Sequence, residues 1–191
     1  MMGCFLVRAD EQKLVEKARN GDMHAFKSLI QRYEPQIAST VIGMVGECPE
    51  AQDIGQETFI RFYKNLHTFR GQASVGTYLT RIAINLCLNE LKRRKRNQKR
   101  YMGTTEEMNE VTDPLNSHEQ KDHQEWLLKA LNALDAKYKS VVVLRLVEGY
   151  STKETARILK LPQGTILSRL SRGVEKLKQL LNELERPEIH S

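Results

Sequence analysis

Residues 151–172 read STKETARILKLPQGTILSRLSR, and this stretch decides how the C-terminal part of the chain folds. Ser151 and Glu154 have the S-x-x-E spacing of a capping box, which predicts the start of a helix. Lys160–Pro162 predicts a turn, and a second helix follows it. Ala156 is small enough to stand where two helices cross. A capped short helix, a tight turn and a second helix match the helix-turn-helix pattern.

The second helix of this motif has two distinct faces. At about 100° per residue, its apolar side chains from Ile166 to Leu181 fall within an arc of roughly 80°. Hydroxyl and cationic side chains fall on the other side, and these are Thr165, Ser168, Arg169, Arg172 and Lys176. Such groups suit phosphates and base edges in a DNA major groove. We therefore predict a DNA-reading face, with an ordinary solvated face of an amphipathic helix as the alternative.

Working outward from this motif, the apolar periodicity predicts helices along nearly the whole chain. The expected N-terminal helices run from Asp10 to Asn20, Met23 to Tyr33, beyond Pro35 to Val45, Glu50 to Leu66, and Thr77 into the basic run ELKRRKRNQKR. Nearer the motif, Asp135 is expected to cap a helix that stops at Gly149. The prediction is an all-α fold of two small helical domains joined by an acidic flexible linker, the C-terminal domain containing the helix-turn-helix.

The charge distribution supports this division. The 191 residues carry a formal net charge of +6, and residues 90–100 alone carry +6. Residues 101–122 carry −5 and lack helical or alternating apolar periodicity, which is typical of a linker. The predicted organisation is a tail (1–9), a helical domain (10–100), the linker (101–122), a helix-turn-helix domain (123–185) and a second tail (186–191).

Several classes of function find no support in the sequence. No apolar run approaches the ~18 residues that a membrane span requires. Three sparse cysteines argue against a disulfide framework and favour a reducing compartment, with Cys48 and Cys87 expected to be buried thiols rather than oxidant sensors. The five histidines are scattered, and the sequence has no HExxH, CxxC, P-loop or G-x-G-x-x-G motif. We expect no catalytic group, no cofactor and no metal site.

The helix that runs into the basic segment carries a second polar face. Its members fall within roughly 80° and are Tyr78, Arg81, Asn85, Asn89, Lys92 and Arg96. Asparagine can bond adenine at two points, arginine and lysine hold phosphates, and tyrosine can stack on an exposed base. A second nucleic-acid surface is one interpretation, and a helix end that is merely basic is the other.

The Glu50–Leu66 helix has a mixed face opposite its apolar stripe. It contains Asp53, Gln56, Glu57 and Ile60. An apolar side chain surrounded by charges is typical of a small interface with an anchor and a rim. It is also what a surface with one stray apolar residue looks like.

Taken together, these motifs carry a family resemblance. The string ECPEAQDIGQETFIRFYKNL, the string FRGQASVGTYLTRIAINLCLNELKRRKR and the C-terminal motif follow one another in a fixed order. The combination of D-x-x-Q-E, R-I-A-x-N-L and G-T-x-x-S-R resembles bacterial sigma factors of the extracytoplasmic-function (ECF) type, within the sigma-70 family. The likeness covers most of residues 20–182.

The resemblance implies a function in transcription initiation. Sigma factors bind core RNA polymerase, direct it to the −10 and −35 promoter elements and aid DNA melting. Family members are commonly held inactive by an anti-sigma factor, act in the cytoplasm and do not insert into the membrane. The acidic linker resembles the segment that runs through the polymerase toward the RNA path.

The resemblance also implies roles for particular residues. Asp53, Gln56, Glu57 and Ile60 would dock on the coiled coil of the largest polymerase subunit. The −10 element would be contacted by the loop from Phe69 to Gly76, which captures a flipped base, and by the long helix; the implied contacts are Phe69, Arg70, Gly71, Ser74, Tyr78, Arg81, Asn85, Asn89, Lys92, Arg93 and Arg96. The −35 element would be read by Thr165, Ser168, Arg169, Arg172 and Lys176.

Some positions depart from the family pattern. In the loop and on the long helix, Val75 and Tyr78 stand where Phe and Trp are usual in the family, Thr80 where an aromatic residue is frequent, and Asn89 where Asp is usual. In the second helix of the C-terminal motif, Leu167 and Ser171 stand where Lys and His are frequent.

A different class, a two-domain helix-turn-helix regulator that is not a polymerase subunit, would share the C-terminal motif. It would leave D-x-x-Q-E and the asparagine-bearing basic helix unexplained.

Overall fold

The computed structural model describes residues 2–101 and 120–184, and every regular element in these ranges is helical. The helices are α1 (Met2–Arg19), α2 (Met23–Val45), α3 (Pro49–Lys64), α4 (Val75–Tyr101), α5 (Gln120–Ala133), α6 (Ala136–Val142), α7 (Thr152–Leu159) and α8 (Gln163–Leu184). A short 3₁₀ turn lies at Leu66–Thr68 and a π-helical turn at Val143–Val147. The prediction of an all-α fold is confirmed.

Helix α2 runs through Pro35, so the predicted break at this proline is wrong. Proline removes one backbone hydrogen bond and crowds the carbonyl four residues earlier, which costs about 3 kcal/mol in a helix interior. The helix continues because both of its halves bury apolar side chains: Leu29 precedes the proline, Ile37 follows it, and each is 1% exposed. Burial of a large aliphatic side chain contributes about 1.5–3 kcal/mol, so two of them offset the proline.

Other predicted boundaries shift by several residues. Helix α1 begins at Met2 and passes through Asp10, which was the expected cap. Helix α5 begins at Gln120, inside the predicted linker, while residues 102–119 and the tail from 185 lie outside the described residues. Asp135 does stand at the start of α6, although its side chain makes no capping hydrogen bond.

The N-terminal domain is built around α2, which packs against α1, α3 and α4. Its core joins aliphatic side chains from these helices to the ring of Phe62, which is fully buried. Gly46 ends α2 with a φ of +83°, a conformation that favours glycine, and the chain then turns directly into α3.

The C-terminal domain contains the predicted helix-turn-helix. The Ser151 hydroxyl accepts a hydrogen bond from the Glu154 amide (3.2 Å), and the Ser151 amide donates to the Glu154 carboxylate (2.9 Å). The capping box is therefore confirmed. Lys160 adopts a left-handed conformation (φ +54°) that ends α7 and turns the chain toward α8. Ile158 of α7 and Ile166 of α8 are both buried.

The two domains pack against each other, which the sequence does not predict. Helix α4 contacts α7, and α2 contacts α5, α6 and the π-helical turn. Val143, Leu144 and Tyr150 of the C-terminal domain belong to the same buried cluster as Leu79 and Ile84 of α4.

Candidate nucleic-acid and protein interfaces

The polar face of α8 points to solvent. Ser168, Arg172 and Lys176 are exposed, and Thr165 and Arg169 are half-buried. The Ser168 hydroxyl donates to the Thr165 carbonyl (3.1 Å), and the Lys176 ammonium lies 5.3 Å from the centre of the Tyr138 ring. The five predicted residues therefore lie together on one accessible face. Ser168 and Lys176 are thus partly engaged within the protein. The Arg172 side chain makes no such contact with the described residues.

The polar face of α4 is continuous and cationic. Its exposed members are Arg81, Asn85, Asn89, Lys92 and Arg96. A depression of about 490 Å³ is lined by Asn89, Lys92, Lys95 and Arg96, so an amide and three cations surround one open space. This arrangement suits a phosphate backbone with an amide placed to reach a base edge.

Arg93 differs from its neighbours on α4. Its guanidinium donates to both carboxylate oxygens of Glu90 (2.7 and 2.9 Å) and lies 3.6 Å from the Glu50 carboxylate. Exposed ion pairs of this kind contribute little stability, so a phosphate could compete for the guanidinium. The predicted contact of Arg93 with DNA requires that its guanidinium leave these carboxylates for a phosphate.

The loop before α4 places its aromatic side chains inward. Phe69 is buried, and its ring lies 5.9 Å from the Phe62 ring and 5.1 Å from the Tyr78 ring. The Arg19 guanidinium donates to the Phe69 carbonyl (2.7 Å), which fixes the loop on α1. In this conformation the Phe69 ring supports the loop instead of facing a base.

The rest of the loop is accessible. Arg70, Gly71 and Ser74 are exposed, and Gly71 has a φ of +66°. The Ser74 hydroxyl accepts from the Thr77 amide (3.2 Å) at the start of α4. These three predicted residues are therefore accessible to a nucleic acid.

A buried carboxylate organises the start of α4, and sequence reasoning missed it. Glu11 of α1 is 9% exposed, and its Oε1 accepts from the Val75 amide (3.0 Å). Its other oxygen accepts from the Tyr33 hydroxyl, and burial, followed by this carboxylate, holds the pKa of Tyr33 well above its usual range. The contact joins residues 64 positions apart, so no local pattern in the sequence could reveal it.

The mixed face of α3 is exposed as predicted and has an apolar groove beside it. Asp53 and Gln56 are exposed, Ile60 is 46% exposed, and half-buried Glu57 pairs with Arg61 (2.7 Å). The groove between α2 and α3 measures about 810 Å³, and its apolar lining includes Met23, Phe26, Ile30, Phe59, Ile60 and Tyr63. An apolar groove with an acidic rim suits a protein partner and is unsuited to a phosphate backbone.

Arg94 also lies on α4, but its side chain is engaged in contacts within the protein. Its guanidinium donates to the Val45 carbonyl (2.9 Å), the Cys48 sulfur (3.0 Å) and the Glu90 carboxylate (2.9 Å). It thereby ties α4 to the turn between α2 and α3.

Cys87 is fully buried, and burial raises the pKa of its thiol to about 12, so it is the inert thiol that was expected.

Two features are absent from the described residues. Across 2–101 and 120–184, no three His, Cys, Asp or Glu side chains come together in a way that could hold a metal ion. Within the same ranges, no helix has both the length and the apolar character needed to cross a membrane.

Comparison with known families matches both domains. Residues 29–97 match Sigma-70 region 2, which includes α3, the loop and most of α4. Residues 124–177 match Sigma-70, region 4, which includes the helix-turn-helix. The pair defines a class of two-domain transcription initiation factors.

Curated relatives agree along nearly the full length. The chain is 30% identical to the RNA polymerase sigma-H factor of Pseudomonas aeruginosa, over 95% of this chain and 99% of the relative. It is also 30% identical to the ECF RNA polymerase sigma factor SigW of Bacillus subtilis, over 91% of this chain and 97% of the relative. This chain belongs to the sigma-70 family of RNA polymerase sigma factors, in its ECF group.

Solved structures share the fold. The sigma factor RpoE of Bartonella quintana, solved with the anti-sigma factor NepR, superposes with a TM-score of 0.67 at 24% identity, over 84% of this chain and 98% of that one. CnrH, solved with the cytosolic domain of CnrY, gives a TM-score of 0.65 at 22% identity, over 91% of this chain and 98% of that one.

Proposed function

We propose that this chain binds core RNA polymerase through the α3 surface and directs it to promoters, reading the −10 element with α4 and the preceding loop and the −35 element with α8. The observation that carries the proposal is the accessible α3 surface. Asp53, Gln56 and Ile60 are exposed beside an apolar groove, on a domain whose helix α4 carries the cationic face. A DNA-binding regulator that works alone has no need of such a surface.

The charged and polar side chains indicate which promoter element each surface binds. Arg81, Lys92 and Arg96 are exposed on α4 and hold phosphates in this proposal, while the exposed amides of Asn85 and Asn89 on the same face bond base edges. The exposed loop residues Arg70, Gly71 and Ser74 lie at the N-terminal end of that face. Arg169 and Arg172 read the −35 duplex, where arginine bonds guanine at two points.

The chain alone is a weak promoter binder in this proposal. Capturing an unstacked base costs a few kcal/mol, and one exposed loop with a single small cationic face supplies little to offset it. Core polymerase contacts supply the remainder, and the catalytic groups of RNA synthesis belong to the polymerase. This chain contributes no catalytic residue, cofactor or metal, and it acts in the cytoplasm, where promoter DNA is found. An anti-sigma factor is the expected negative regulator; the sigma factor RpoE of Bartonella quintana was solved in complex with one.

Core polymerase affinity tests the docking surface. The double variant Asp53→Lys, Glu57→Lys should weaken binding of the full chain to core RNA polymerase, because it reverses the charge of the acidic side chains on the α3 surface. Glu16→Lys is the matched control, because Glu16 is an exposed acidic residue of α1 that does not line the groove. Circular dichroism should show all variants equally helical. Equal affinity of wild type and the double variant would remove the docking assignment.

A permanganate footprint tests the dependence on polymerase. Reactive thymines at the −10 element should appear only when core polymerase and this chain are both present. Promoter opening by the chain alone would contradict the proposal. Binding of specific duplex sites without any affinity for core polymerase would favour the helix-turn-helix regulator.

A further inference from the structure

The accessible surface of α8 includes an apolar side chain that the sequence-based DNA-reading face does not contain. Five residues in the N-terminal half of the helix are exposed and share an arc of roughly 140°. They are Gly164, Leu167, Ser168, Ser171 and Arg172. Ser168 and Arg172 belong to the predicted −35 contacts, so the structure adds Leu167, which is 55% exposed, to the same surface.

Leu167 points away from the core of its domain. Ile166 and Leu177 of the same helix are buried, and Leu167 lies about 100° around the helix from Ile166. A leucine left in water gains little from the hydrophobic effect, so its side chain contributes little to the stability of the domain. Replacing Leu167 therefore tests binding without unfolding the chain.

The surface around Leu167 is neutral and low. Its neighbours one turn away are Gly164 and Ser171, and Ser168 follows it directly. A Cβ atom at Gly164 would meet open space. Because all three neighbours have small side chains or none, the branched end of Leu167 stands above the helix surface.

The cations of α8 lie on the other flank. Arg169, Arg172 and Lys176 fall within roughly 60° of one another, and the nearest in direction to Leu167 is Arg172, about 140° away. The helix therefore has a cationic flank, which suits phosphates and guanine, and a neutral flank with one apolar side chain, which cannot hold a phosphate.

The position of Leu167 along α8 favours contact with base edges. The second helix of a helix-turn-helix lies in the major groove and contacts bases with its N-terminal residues. Leu167 is the fifth residue of α8. A groove about 12 Å wide encloses an α-helix from two sides, so the neutral flank meets DNA as well as the cationic one.

Thymine is the base whose major-groove edge suits a leucine. It presents an apolar C5-methyl group, whereas guanine, adenine and cytosine present hydrogen-bond donors or acceptors there. A leucine placed against a polar edge would remove water from those groups without replacing their hydrogen bonds, which costs free energy. The side chain thus favours thymine and disfavours the other three bases.

A protein partner fits this surface less well than DNA. Specific protein interfaces bury at least about 1,000 Å². Leu167 is a single apolar side chain bordered by a glycine and two serines, and its surface is continuous with the DNA-binding face at Ser168 and Arg172. Continuity with that face indicates duplex DNA as the ligand.

We infer that Leu167 contacts the methyl group of a thymine in the −35 element and makes this chain specific for promoters with thymine at that position. The inference rests on the proposed function and names one base that α8 selects. Leu167 and Arg172 are five residues apart, or about 7.5 Å along the helix axis. At about 3.4 Å per base pair, the thymine should lie within about three base pairs of the one contacted by Arg172.

Exchange of thymine for uracil tests the inference, because it removes the methyl group and keeps the hydrogen-bonding edge. The probe is a duplex from a promoter that core polymerase transcribes with this chain, each thymine of the −35 region being replaced in turn by deoxyuridine. One replacement should weaken binding of the wild-type complex with core polymerase about fourfold, the effect of one buried methyl group. Leu167→Ala should weaken binding to the thymine duplex at least as much and bind both duplexes equally.

Leu146→Ala is the matched control. Leu146 is another leucine of the C-terminal domain, it is 57% exposed, and it lies outside α8. This variant should keep the fourfold difference between thymine and uracil, and circular dichroism should show all variants equally helical. The absence of any uracil-sensitive position would overturn the inference, and so would the same sensitivity in Leu167→Ala. A wild-type complex that starts no promoter-specific transcript would count against the proposed function instead.

A change of base preference gives an independent readout. Arginine bonds guanine at two points, so the Leu167→Arg variant should select guanine where the wild type selects thymine from duplexes randomised in the −35 region. A role of Leu167 in the fold alone would not move this preference. Selection of thymine by both proteins at that position would contradict direct reading by Leu167.

Discussion

Removal of the Glu11 carboxylate changes the free energy of unfolding by an amount that can be worked out from its hydrogen bonds. Glu11 accepts hydrogen bonds from the buried Val75 amide and from the Tyr33 hydroxyl, so it joins α1, α2 and the start of α4. Hydrogen bonds to a charged group contribute about 1.5–3 kcal/mol each, and a buried amide left without a partner costs about 1–3 kcal/mol. Glu11→Ala should therefore lower the free energy of unfolding by about 3 kcal/mol, a large part of the total stability of a small protein.

Urea denaturation followed by circular dichroism measures this change. With a slope of about 2 kcal/mol per molar urea, the midpoint should fall by roughly 1.5 M. Glu11→Gln keeps an acceptor for the Val75 amide and should lose less. Glu16→Ala removes an exposed carboxylate from the same helix and serves as the control.

The functional consequence follows from position. Val75 begins α4 directly after the loop that would capture a base, so a weakened start of α4 should also reduce promoter opening. If Glu11→Ala unfolded within about 0.5 kcal/mol of Glu16→Ala, as ordinary surface changes do, Glu11 would not be the organising contact described here.

Three further predictions concern the C-terminal domain. Lys139 is 2% exposed, and its ammonium loses its proton near pH 8 in the folded chain and near its usual 10.5 when unfolded. The unfolded chain therefore binds more protons at this site between these values, so the contribution of Lys139 to the free energy of unfolding should rise with pH across that window. Cys87 acts in the opposite direction above its usual pKa of 9.0, because burial raises the pKa of its thiol to about 12. The readout is therefore the difference in free energy of unfolding between wild type and Lys139→Met, which should grow from pH 8 to 10.5; a difference that does not change with pH would contradict the burial of this cation. Gly173→Ala places a Cβ 2.8 Å from a Val142 methyl and should destabilise the domain by about 1–3 kcal/mol in thermal unfolding, whereas Gly164→Ala on the same helix meets open space and should not. Arg172→Ala should lower transcription from −35-dependent promoters and reduce the salt slope of DNA binding by about 1, while Lys178→Ala, exposed but off the polar face, should do neither.

What the sequence could predict depended on local spacing. The capping box at Ser151, the turn at Lys160 and the two faces of α8 all lie within a few residues of one another, and the structure has them as expected. The same holds for the α3 surface, where D-x-x-Q-E places Asp53 and Gln56 on one exposed face. Helical periodicity is enough to find such features.

The features that the sequence could not predict join residues far apart along the chain. Lys139 bonds a carbonyl 95 residues away, and Tyr150 bonds a side chain 114 residues away. Pro35 locally favours a helix break, but the packing of Leu29 and Ile37 outweighs that preference. The aromatic cluster likewise withdraws Phe69 from the surface, although its position in the loop suggests a base contact.

Run-off transcription with core RNA polymerase on genomic fragments, with and without this chain, tests the central claim most directly. The account predicts discrete transcripts that require the chain and that disappear with the Asp53→Lys, Glu57→Lys variant. The same transcripts at equal yield without the chain, or no transcript from any fragment despite tight binding to core polymerase, would contradict it.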